Sequence, residues 1–176
     1  GFDLYTQLLS EAVEAVKGSG KTQEVEPEIK VPVPAVFPEN YIEQPMHRLD
    51  LYQRLSAAET DDAILQVFSE IHGLYGHPPD EVGHLSEVML MRLRLKRAGA
   101  SALSVAFGEE EVRLGVTLLP ESPVDRAALV QLVQRDPRHF GVTASGRLTL
   151  RAPAPRSAAP RELLRIARQT LAKLPA

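Results

Sequence analysis

Apolar residues recur at helical spacing over residues 46–98, with almost no helix breakers, and the rest of the chain is organised around this stretch. Leu49, Tyr52 and Leu55 follow one another at every third position, with Leu51 widening the stripe, which predicts a helix with one buried face. A second helix is predicted to open at Thr60, with Asp61 and Asp62 in its first turn, where carboxylates suit the positive helix end. It should bury Ile64, Leu65, Phe68, Ile71 and Tyr75 and stop at Gly76. After a turn at His77, Pro78 and Pro79, Asp80 is placed to cap a third helix carrying Val82, Leu85, Val88, Met89, Arg92 and Leu95 and ending at Gly99. Arg92, Arg94, Lys96 and Arg97 lie in its last turns, where cations suit the negative end.

The flanks read differently. Phe2, Tyr5, Leu8, Leu9, Ala12, Val13 and Val16 predict an amphipathic helix over residues 1–17, stopped by Gly18. Starting without Met, the chain is expected to be a fragment of something longer. Residues 19–28 form a polar linker, and Ile29, Val31 and Val33, alternating with Lys30 and Pro32, predict an edge strand, since proline cannot donate to a central ladder. Ala102 to Phe107 and Val112 to Leu118 flank the polar stretch Gly108 to Glu111 and predict a β-hairpin. A short helix is expected from Pro123, holding Val124, Leu129, Leu132 and Val133 and closing at Asp136 and Pro137. Phe140 to Thr143 and Arg147 to Arg151 bracket Ala144, Ser145 and Gly146 as a second hairpin. A loop rich in Pro and Ala over 152–160 then leads to a last helix from Pro160 to Lys173, burying Leu163, Leu164, Ile166, Ala167, Leu171 and Leu174. Helices first and mixed strands afterwards predict an α+β fold: an N-terminal helix, a central three-helix unit, and a small C-terminal mixed sheet with flanking helices.

Charge changes this picture more than composition does. The net charge of −3 conceals two halves: residues 1–90 carry 16 Asp or Glu against 5 Lys or Arg, and residues 91–176 carry 7 against 15. Halves of opposite sign can attract each other within the fold, can each face a complementary partner, or can simply be charges on a solvated surface, the plainer reading. A pI near 6.0 disfavours a protein built around duplex DNA binding, for which a continuous basic stripe and a pI above about 9 would be expected. The absence of Cys excludes disulfides and thiolate metal sites and fits a cytoplasmic protein.

Candidate chemistry is thin. Gly20, Lys21 and Thr22 end a stretch resembling a phosphate-binding loop, but that chemistry needs a strand before the loop and a helix after it, and here the order is helix then linker. His72, His77 and His84 stand near Glu70, Asp80 and Glu81 without the spacing of a known zinc site. Adjacent Asp61 and Asp62 point to different helix faces and cannot share a substrate. Glu109 to Glu111 read as a solvated hairpin tip. With no nucleophile elbow and no Trp, neither an independent enzyme nor a base-stacking platform is expected, and no cofactor or metal is assigned.

An ordered set of residues then carries a resemblance. Gly1-Phe2-Asp3-Leu4-Tyr5 with Leu8, Leu9, Ala12 and Val13 is similar to the hook helix that leads from the helicase module of bacterial transcription-repair coupling factors into their C-terminal domain. Tyr41-Ile42, Arg48-Leu49, Leu51-Tyr52, Arg54-Leu55, Glu70-Ile71, Tyr75-Gly76, Pro79, Leu93 and Gly99 resemble that domain in order and spacing. The resemblance covers residues 1 to about 99 well and the remainder mainly in the order of elements. It implies a hook helix over 1–18, a linker over 19–28 and a C-terminal regulatory domain over 29–176. The parent protein would bind ATP and DNA, follow RNA polymerase, and recruit UvrA through a UvrB-like module. The C-terminal domain would pack on that module, mask its UvrA-binding surface and restrain ATPase and translocase activity. The implied interdomain contact lies at Glu70, Gly73 and Leu74. Gly73 and Leu74 stand where the family usually has Asp and Arg, so part of a polar latch is missing here. The alternative reading is a nucleic-acid-binding module using a basic patch of Arg92, Arg94, Lys96 and Arg97, with Arg161, Arg165 and Arg168.

Overall fold

Residues 25–175 are those described by the structure, a computed structural model, and they hold ten elements in the order β, three α, two β, α, two β, α. The amphipathic helix expected over residues 1–17 and the linker with its phosphate-loop look-alike lie outside the described residues up to Glu24. The described chain divides into two compact units, one over Val33–Leu93 and one over Glu26–Pro32 with Arg94–Ala176.

In the first unit, α1 (Pro45–Ala57) begins with Pro45, whose missing N–H loses nothing in a first turn, and buries Leu51, Tyr52 and Leu55. α2 (Asp61–Tyr75) is capped by Thr60, whose hydroxyl accepts from the Ala63 N–H at 3.1 Å, and stops at Gly76, where φ is +80°. Its buried line runs through Ile64, Val67 and Ile71. Leu65, expected inside, is 49% exposed: one residue past Ile64 it has rotated off the core face, and Val67 fills that place. α3 (Asp80–Ala98) starts at Asp80 itself, so Asp80 is a first-turn charge and not the cap. Every position from Val82 to Leu93 is buried. The polar residues on this run find partners: the His84 ring bonds the Pro34 carbonyl at 2.8 Å and Ser86 donates to Gly83 O at 2.7 Å. Tyr52 ties the segment before α1 to the helices, its hydroxyl accepting the Phe37 N–H at 2.9 Å and its ring 4.9 Å from that of Phe37.

The second unit is a five-stranded sheet in the order β1-β2-β3-β5-β4, formed by β1 (Glu28–Lys30), β2 (Ala100–Phe107), β3 (Glu111–Leu118), β4 (Phe140–Val142) and β5 (Leu148–Pro153). Both expected hairpins form. β1 is an edge strand, as its neighbouring Pro32 implies, but it pairs parallel to β2, with Ile29 opposite Leu103. Parallel neighbours need a long crossover, and residues Val33–Leu93 of the first unit lie in the chain between these two strands. α4 (Arg126–Arg135) starts later than Pro123 suggested, because Asp125 takes the Ala127 and Ala128 N–H groups at 2.9 and 3.3 Å and so fixes the N-terminus. α5 (Pro160–Leu171) covers one sheet face with Leu164, Ala167 and Leu171.

Candidate interdomain contact surface

The three-residue connection between α1 and α2 lays the helices side by side, so the start of α1 meets the end of α2. Glu70, Gly73 and Leu74 fall at i, i+3 and i+4 on α2 and therefore share one face. All three are exposed. Leu74 is 71% exposed, and a methyl group added at Gly73 would meet nothing within 4 Å. Met46, at the start of α1, is 75% exposed. Glu70 Oε2 sits 2.8 Å from Arg54 Nη2, with both side chains nearly half exposed. Such a surface pair contributes about 0–1 kcal/mol, so Glu70 can exchange Arg54 for another cation at little cost.

Beneath this face the end of α2 is held firmly. Tyr41 donates to the Gly76 carbonyl at 2.8 Å, and its ring stacks at a tilt 5.6 Å from that of Tyr75. The Tyr75 hydroxyl bonds His47 Nδ1. Burial, with the neighbouring Tyr75, holds the Tyr41 hydroxyl above the ordinary tyrosine range. The arrangement places an apolar knob, an open glycine and a loosely held carboxylate together on a hydrogen-bonded helix end. The unit as a whole is acidic, with ten Asp or Glu against Arg48, Arg54 and Arg92 over residues 33–93. Among the described residues no group of three His, Cys, Asp or Glu could hold a metal ion, and no helix is long and apolar enough to cross a membrane.

The basic run on α3 does not form one exposed patch. Arg92 is 2% exposed and reaches toward the Ser56 carbonyl at the end of α1. Arg94 Nη2 donates to the carbonyls of Ala172 and Leu174 at 3.1 and 2.9 Å and so closes the end of α5. Lys96 is half-buried, and only Arg97 is exposed. Residues 92, 94, 96 and 97 are spread around the helix axis, so they cannot all face solvent. On α5, Arg165 pairs with Glu162 at 2.5 Å, Arg161 is exposed and Arg168 is half-buried. Sequence reasoning named Arg54, Tyr41 and Tyr75 for the core or the resemblance without joining them to the contact, and did not name Met46 or His47. Arg54 and Tyr75 were legible by pairing positions outward from the short connection between the helices; Met46 gave no signal, because its exposure depends on packing.

Residues 31–125 match the family model described as TRCF domain. The chain is 35% identical over 153 residues to a transcription-repair-coupling factor of Myxococcus xanthus, covering 87% of this chain and 12% of the relative. It is 30% identical over 148 residues to that of Bacillus subtilis, covering 84% and 12%, and 27% identical over 154 residues to that of Escherichia coli, covering 84% and 13%. The chain therefore spans about an eighth of the length of the curated relatives it matches. Among solved structures, its fold is similar to a crystal structure of the C-terminal domain of transcription-repair coupling factor, with a TM-score of 0.63 over 85% of this chain and 94% of the other. At 15% identity that likeness concerns the fold alone.

Proposed function

The chain belongs to the TRCF domain family, and from that premise we propose that it is a regulatory domain of a cytoplasmic DNA translocase coupling transcription to nucleotide excision repair. In this reading the domain has no catalytic activity of its own. It docks the face of Glu70, Gly73 and Leu74 on the UvrB-like module of the same protein, masks the surface that UvrA would bind, and restrains ATPase and translocation until RNA polymerase is engaged. One observation carries the reading: a large apolar side chain, Leu74, stands 71% exposed beside an open glycine and a half-exposed carboxylate, on a helix end fixed by hydrogen bonds.

A weak contact suffices for such a switch. With tethered partners at an effective concentration of roughly 1 mM and an isolated Kd of about 10 μM, the closed state outweighs the open one by about 100 to 1, or ~2.7 kcal/mol. Losing one charge-assisted hydrogen bond, worth about 1.5–3 kcal/mol, is then enough to open it.

The test is calorimetric titration of this chain into the UvrB-like module of the same protein, repeated with UvrA present. Binding that UvrA abolishes supports the mask; no binding near millimolar concentration removes it. In the full-length protein, Glu70→Lys should raise basal ATPase activity, and an unchanged rate would count against the restraint.

A further inference from the structure

The sheet of the second unit buries Leu103, Val105, Leu114, Val116 and Leu150 on one face, whereas the opposite face is exposed at Ala106, Arg113, Thr117 and Arg151. Along its centre, Ser104, Gly115, Thr149 and Gly141 stand in register, so only small side chains rise from the sheet there, with Thr149 Oγ1 lying over Gly141. Arg147 lies across this strip: its Nη2 bonds the Ser104 hydroxyl, and a methyl group at Gly115 would collide with its guanidinium. Arg113 and Arg151 are direct cross-strand partners on the same face. Like charges placed opposite each other are destabilising, and carboxylate compensation is slight. Arg113 Nε is 3.7 Å from Glu111 Oε1, and the Arg151 side chain has no hydrogen bond or ion pair among the described residues.

We propose that this face binds an acidic segment of a partner protein, with its Asp or Glu carboxylates taken by Arg113, Arg147 and Arg151. Guanidinium forks match carboxylates bidentately, and the small residues of the central strip let the Arg147 guanidinium lie flat on the sheet beside the Arg113 and Arg151 pair. Charge complementarity selects a short acidic stretch over a long polyanion. Beyond Arg113 lies the hairpin tip, where three carboxylates, Glu109, Glu110 and Glu111, share Arg156 and Arg113 at 3.0, 3.6 and 3.7 Å, and at the β1 edge Lys30 is paired with Glu28 at 3.5 Å, so the uncommitted cations are confined to the strip between and an extended nucleic acid would run past them at both limits. The strands' aromatic residues, Phe107 and Phe140, register with Val112 and Leu150 on the buried face, which leaves no platform for stacking bases. The inference concerns a different unit from the helix-end contact and stands independently of it.

The experiment titrates the complete chain into a fluorescein-labelled peptide of alternating Asp and Ser, read by fluorescence polarisation, with amide shifts mapping the site. Saturable binding that weakens with salt is expected, with shifts on β2, β3 and β5. Arg147→Gln and Arg151→Gln should each weaken it about threefold and together about tenfold, as exposed pairs do, while Arg161→Gln on α5 leaves it unchanged. Three results overturn the proposal: no saturation by about 1 mM, equal weakening by Arg161→Gln, or tighter binding of a single-stranded DNA oligonucleotide of equal charge. Arg151→Gln alone keeps the test free of folding effects, since that side chain touches no polar partner among the described residues.

Discussion

Tyr52 shows how much one residue can join. It is 1% exposed, its ring packs on Phe37, and its hydroxyl satisfies a backbone N–H that would otherwise be buried without a partner. Tyr52→Phe keeps the ring and strands that N–H, so stability at neutral pH should fall by about 1–3 kcal/mol, measured by urea unfolding. Burial raises the Tyr52 hydroxyl above the ordinary tyrosine range, with the Phe37 N–H and nearby Arg48 acting in the opposite direction. A raised native pKa means that the folded chain holds the proton more tightly than the unfolded chain. The contribution is therefore intact below about pH 10 and declines as pH climbs toward the native value. The Tyr52→Phe variant should lose less stability than the wild type over that alkaline window, and equal losses would show that another group sets the slope.

At the scale of elements, helical spacing made most of the chain legible. Thr60, Gly76 and Gly99 mark helix limits where caps and stops were expected, and the spacing of Glu70, Gly73 and Leu74, which the resemblance singled out, puts them on one helix face, which is exposed. The basic end of α3 was less legible. Charge at a helix C-terminus reads as solvent-facing, yet Arg92 belongs to a stretch enclosed on all sides, and that enclosure comes from segments distant in sequence. Gly99, between α3 and β2, has φ of +64°, and a Cβ there would lie 2.9 Å from both Ser122 Cα and Pro123 Cδ. Gly99→Ala combines a left-handed backbone with a clash against backbone, so a loss of about 3 kcal/mol is expected in thermal or urea unfolding. Gly115→Ala meets only the movable end of Arg147 and should leave stability nearly unchanged.

For the molecule as a whole, the decisive feature is that β1, early in the chain, completes a sheet whose other strands come after α3. A chain starting at Val33 would lose β1 and leave the outer edge of β2 unpaired. Exposed strand edges recruit other chains, so this truncation should lower the melting temperature and cause self-association visible by light scattering. A monomer of unchanged melting temperature would show that β1 contributes nothing to the sheet.

From local pattern alone the sequence determined the helices among the described residues, both hairpins and the α+β class, because periodicity, caps and turn residues act over a few positions, whereas the contact at the end of α2 came only from the resemblance. Sheet order, the parallel pairing of Ile29 with Leu103, the Arg54 and Glu70 pair, the burial of Arg92 and the arginine face over Gly115 were decided only by the tertiary structure. Each depends on which segments far apart in the chain come together, and no spacing within a single segment encodes that choice.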